Sequence, residues 1–69
     1  MTPADFRAAR KQLKTRSGEP MTQALLASVM DLDPLNVSRI ERGVKPAPVR
    51  YVRLLRAYLK RHRPPDWPR

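Results

Sequence analysis

The sequence predicts a compact all-α domain of four to five helices, and three observations point there. Apolar residues recur at three- and four-residue spacings along most of the chain, and no stretch alternates as a strand would. A capping residue followed by proline, the start signal of a helix, occurs at Thr2-Pro3 and again at Asp33-Pro34. At 69 residues there is room for one core only. A domain of this size buries only about 60% of its unfolded surface, so a partner subunit is expected to add support.

The first helix is expected from Pro3 to about Lys14, with Asp5 facing the dipole and Phe6, Ala9 and Leu13 on one face. Thr15 to Pro20 breaks the pattern and reads as a loop. Thr22 caps a second helix from Gln23 to about Met30, with Leu26, Ala27 and Met30 inward; Met21 and Met30 read as core. Asp31-Leu32-Asp33 forms a turn, with Asp31 at the position that needs a positive φ. A third helix runs from Pro34 to Arg42, stopped by Gly43 and burying Val37 and Ile40. Val44 to Pro48 is a stiff connection, and a fourth helix follows from Val49 to about Arg61. The domain thus covers residues 1–62, and 63–69, with three prolines around Trp67, is expected to be an extended or disordered tail.

Fifteen Lys and Arg against six Asp and Glu give a formal charge of +9, so a polyanion is the natural partner. Cysteine is absent, His62 is the single histidine, and the acids are scattered, so neither disulfides nor a metal or other cofactor is expected. Nucleophile–base pairs, phosphate-cradling glycine loops and carboxylate dyads are missing, which argues against an enzyme. No apolar run approaches the ~18–20 residues of a membrane span and no secretory leader precedes the first helix, so a cytoplasmic protein is expected.

Two short helices separated by three or four residues can cross at roughly 90–120° and offer the second as a rod for the major groove. The segments Met21-Thr22-Gln23-Ala24-Leu25-Leu26-Ala27 and Val37-Ser38-Arg39-Ile40-Glu41-Arg42-Gly43 resemble the Cro/C1 (XRE) family of helix-turn-helix regulators. The resemblance is ungapped from Met21 to Gly43 and extends more weakly over Pro3 to Leu59, implying a lambda-repressor-like fold. Asp31 stands where the family usually has glycine, the first loop is longer, and Pro34 and Leu35 replace residues that are often polar. The connection Lys45-Pro46-Ala47-Pro48 is also similar to that of small regulators associated with anti-CRISPR operons.

The resemblance implies a double-stranded DNA partner and roles for particular residues. Gln23 would bond a phosphate at a helix N-terminus. Arg39 would read guanine, Asn36 adenine or a phosphate, and Leu35 a thymine methyl, with Asn36 and Arg39 expected opposite Val37 and Ile40. Asp33, Pro34 and Ser38 complete the DNA-facing set, and Arg42, Lys45 and Arg50 would clamp phosphates. Arg10 and Glu41 would form a structural ion pair between the first and third helices.

On the fourth helix, Val52, Leu55 and Leu59 form one stripe, expected to face the core, and Tyr51, Leu54 and Tyr58 a second, expected to pair two copies. Such a homodimer would bind an inverted-repeat, palindromic operator with half-sites about 34 Å, or a multiple of that, apart. A repressor acting by occupancy is the leading expectation, autoregulation included. An antitoxin with the same module is the alternative, which would add a toxin or an anti-CRISPR operon association. RNA binding lacks an aromatic stacking platform, and a membrane-surface role would have to rest on the basic face of the fourth helix.

Overall fold

The computed structural model describes every residue, Met1–Arg69. Four helices form: α1 (Pro3–Gln12), α2 (Gln23–Met30), α3 (Pro34–Glu41) and α4 (Val49–Leu59). There is no strand, only an isolated antiparallel bridge between Lys14 and Pro20. No helix is long and apolar enough to cross a membrane.

Local chemistry sets the helix starts. Thr2 and Asp5 form a reciprocal capping box: the Thr2 hydroxyl accepts from the Asp5 amide at 3.1 Å, and the Asp5 carboxylate from the Thr2 amide at 3.3 Å. Thr22 caps α2 by accepting from the Leu25 amide at 3.1 Å, and Asp33 caps α3 by accepting from the Leu35 amide at 2.9 Å. Proline at the first position of α1 and of α3 gives up an amide that has no helical partner anyway.

The stops share one device. At the ends of α2, α3 and α4 a residue takes the left-handed conformation, and two amides reach back to the last carbonyls in a Schellman pattern. Gly43 (φ 75) serves α3, with Val44 donating to the Arg39 carbonyl at 3.0 Å. Asp31 (φ 58) serves α2, with Leu32 donating to Ala27 at 2.7 Å, which makes the connection between α2 and α3 only three residues long. Arg61 (φ 69) serves α4, and His62 donates to Ala57 at 2.9 Å, so α4 ends at Leu59 and not at Arg61. The first helix likewise stops before Lys14, because Leu13 is extended and the loop folds back on it. There the Thr15 amide donates to Glu19 at 2.8 Å and the Met21 amide to Leu13 at 3.0 Å.

α2 packs on α3, and α1 packs on both α3 and α4. The core between them holds Phe6, Ala9, Leu13, Met21, Leu26, Ala27, Met30, Val37, Ile40, Leu55, Tyr58 and Trp67. Ala27 is fully buried on the face of α2 that meets this core, where a larger side chain would push neighbouring helices apart.

Two expectations are corrected here. Tyr58 is buried within the single chain, and Tyr51 and Leu54 pack against the same core, so the stripe assigned to a dimer faces inward. Leu55 and Leu59 join it, whereas Val52 does not pack on the core. The core-facing arc of α4 is therefore centred near Tyr51 and Tyr58, about one residue's rotation from the expected position. Nor is the tail disordered: although it forms no helix, Trp67 is only 4% exposed and belongs to the core. Its indole packs edge-on against Tyr58, with centroids 5.2 Å apart and planes at 66°, and the Arg63 guanidinium lies over the indole at 4.7 Å. Residues 63–69 thus belong to the same packed unit as 1–62.

Candidate nucleic-acid interface

One side of α3 is buried through Val37 and Ile40, and the rest follows from helical geometry. At 100° per residue, Leu35, Ser38, Arg39 and Arg42 span an arc of about 100° on the opposite side. Leu35, Arg39 and Arg42 are exposed, and Ser38 is half-buried. The exposed Arg39 side chain makes no hydrogen bond or ion pair within the chain and lies at one edge of this arc, about 40° around the helix from Leu35. Arg42 stays close to its own helix, its Nε donating to the Ser38 carbonyl at 3.4 Å. Pro34 and Asp33 are exposed at the start of this arc, and Asp33 is occupied in capping.

Asn36 does not share that arc. It precedes Ile40 by four residues, so it flanks the buried side, and its Oδ1 accepts from Lys45 Nζ at 3.3 Å. Its expected position opposite Val37 and Ile40 is corrected accordingly. The Asn36–Lys45 pair places a cation from the loop after α3 beside the arc. Arg50, at the start of α4, is exposed, its guanidinium 5.7 Å from the centre of the Tyr51 ring.

α3 is held at a fixed angle by a buried ion pair. Arg10 of α1 meets Glu41 with two parallel bonds, Nε to Oε2 at 2.7 Å and Nη2 to Oε1 at 2.9 Å. The two side chains are only 11% and 3% exposed, so the pair is shielded from water and salt. The remaining Arg10 nitrogen, Nη1, donates to the Met21 carbonyl at 2.8 Å, which ties the residue before the α2 cap to the same point. Gln23, expected on a phosphate, instead turns inward and donates from Nε2 to Glu41 Oε1 at 3.3 Å. One carboxylate therefore links α1, the start of α2 and the end of α3. The role of the Met21 carbonyl had no signal in the sequence, since any residue offers that atom.

A pocket of about 390 Å³ opens where the start of α1 meets the end of α3, lined by Met1, Pro3, Ile40, Gly43, Lys45, Pro46 and Ala47. Its lining offers one titratable side chain, Lys45, and no pair of groups suited to proton transfer. Charge is distributed unevenly around these elements. Across residues 22–48, Arg39, Arg42 and Lys45 are balanced by Asp31, Asp33 and Glu41, so the α2–α3 unit is formally neutral. No family model matches this chain, nor does any curated protein or solved structure.

Proposed function

We propose that this chain is a sequence-specific double-stranded DNA-binding regulator in which α2 and α3 form a helix-turn-helix and α3 enters the major groove. The observation that carries the reading is the arc of Leu35, Ser38, Arg39 and Arg42, turned to solvent on a helix whose other side is pinned by Val37, Ile40 and the Arg10–Glu41 pair. A free guanidinium on a rigid rod suits bidentate contact with guanine O6 and N7, and the exposed Leu35 suits a thymine methyl. Arg42 and Lys45, on the rim, suit phosphates. Gln23 acts from behind, through Glu41, by fixing the angle of α3.

An eight-residue helix is about 12 Å long and spans only three or four base pairs at ~3.4 Å each, too few to select one site in a genome. Two copies on an inverted repeat supply the remainder, and their contact surface lies outside Tyr58. Bound across a promoter, such a pair represses by occupancy. Selection from a random pool of duplex DNA tests the reading. It should enrich a short inverted repeat; a pool that stays random after several rounds rejects it.

A further inference from the structure

The charge that a polyanion would feel lies mostly away from α3. Residues 49–69 carry Arg50, Arg53, Arg56, Lys60, Arg61, Arg63 and Arg69 against Asp66 alone, so this third of the chain holds +6 of the total +9. Along α4 and its cap, Val49, Arg53, Arg56 and Lys60 fall within an arc of about 60°, diametrically opposite the Tyr51, Leu55 and Tyr58 face. All four are exposed. The chain has one ion pair, Arg10–Glu41, so no carboxylate neutralises these three cations. Arg53 and Arg56 are three residues apart, and Arg56 and Lys60 four, so each pair repels across the helix surface. The stripe is strained electrostatically in the free protein and relaxes when an extended anion lies along it.

We propose that the Arg53–Arg56–Lys60 stripe is a second DNA-binding surface, one that holds the phosphate backbone of a duplex without reading its sequence. From Arg53 to Lys60 the helix rises about 10 Å, a length along the duplex axis over which one strand presents roughly three phosphates. The stripe has the composition for this and for little else. It offers cations and a single valine, with no aromatic anchor of the kind that dominates protein interfaces. Tyr51, Leu54, Leu55, Tyr58 and Leu59 pack on the core and so are not free to enter a bilayer, which leaves α4 only Val49 and Val52 for an apolar contact. α1 packs on both α4 and α3, and the stripe, on a different helix from Arg39, holds phosphates whether or not Arg39 reads bases.

The test uses the full chain and random-sequence duplex DNA titrated between 50 and 200 mM salt. The variant Arg53→Gln/Arg56→Gln/Lys60→Gln is compared with Arg7→Gln/Lys11→Gln/Lys14→Gln, which removes the same charge from exposed positions on and just after α1. The α4 variant should lower the slope of log affinity against log salt by about 2.7, the value for three lost phosphate contacts, and the α1 variant by less than about 1. Melting should be unchanged or slightly higher, because repulsion is relieved. An unchanged slope in the α4 variant, or an equal fall in both, overturns the proposal. So does a result in which the α4 variant loses binding only to phosphatidylserine vesicles. Should the triple variant melt early, single substitutions at the same positions carry the test, each expected to remove about 0.9 from the slope. Failure of the selection experiment for α3 would leave this result untouched, so the two readings fail separately.

Discussion

Trp67 donates from its indole Nε1 to the carbonyl oxygen of Lys14 at 2.8 Å, a bond that joins positions 53 residues apart. Beside it, the Arg16 amide donates to the Pro68 carbonyl at 2.8 Å and an Arg16 guanidinium nitrogen bonds the Pro65 carbonyl at 2.5 Å. The chain end is therefore strapped across the loop between α1 and α2. That loop holds Met21, whose carbonyl receives Arg10, so the strap also supports the ion pair that sets the angle of α3.

Trp67→Ala should cost about 3–5 kcal/mol, the usual loss for a large buried aromatic. At roughly 4–8 °C per kcal/mol for a domain of this size, melting should fall by more than about 10 °C in calorimetry. Trp67→Phe keeps the packing on Tyr58 and loses the bond to Lys14, so it should cost only about 1 kcal/mol. A melting temperature unchanged by either substitution would mean that the strap does not hold in solution.

Arg10→Met should destabilise by about 3–5 kcal/mol, because Glu41 would be left buried and charged without its partner. Arg10→Met combined with Glu41→Leu should recover most of that loss, since an apolar pair of similar volume needs no compensation. Denaturant titration measures both. A double variant no more stable than the single one would show that the bond from Arg10 to the Met21 carbonyl, and not the ion pair, is the main contribution.

Asp31 closes α2 with φ 58 and places a carboxylate at the negative end of the helix dipole. Asp31→Asn keeps a side chain that tolerates the left-handed region and removes the charge, which should raise stability by about 0.3–1 kcal/mol. Asp31→Val should do the reverse, because a branched residue at positive φ is strained. The order Asn, Asp, Val in melting temperature checks this, and Val melting highest would refute it.

Burial pushes the Tyr58 phenol above its ordinary value of 10.0, and the Asp66 carboxylate adds to the rise. The folded state thus holds this proton more tightly than the unfolded chain does. The resulting stability is complete below pH 10 and declines as pH climbs from there through the folded value. Tyr58→Phe should therefore flatten the loss of stability above pH 10, while Asp66→Asn should shift the phenol's ultraviolet titration downward. A Tyr58 titration indifferent to Asp66 would mean that burial acts alone.

Features governed by adjacent residues were legible in the sequence. Thr2, Thr22, Asp33, Pro34 and Gly43 each act on backbone within a few residues, so the helix boundaries near them follow from local chemistry. The solvent face of α3 followed from periodicity, although the same 100° step places Asn36 beside Ile40, so this position was legible and misassigned. The orientation of α4 was not legible. Both of its apolar stripes fit a core, and the choice depends on where α1 lies and on Trp67 packing against Tyr58, neither of which is local. A proline-rich tail carries no periodic signal, so its docking on Lys14 and Arg16 could not be read from composition. The inward turn of Gln23 depends on Glu41 having room for a third donor beside the two from Arg10, a matter of tertiary geometry.

Arg39 reads a base in the proposed complex, and the most direct measurement compares wild type, Arg39→Ala and Arg42→Ala on the selected duplex and on random duplex at one salt concentration. Arg39→Ala should lose about 1–3 kcal/mol on the selected site, lose much less on random sequence, and relax preference at one base pair. Arg42→Ala should weaken both duplexes alike. If Arg39→Ala instead lowers affinity equally for both, Arg39 holds a phosphate and α3 is not the reading helix proposed here.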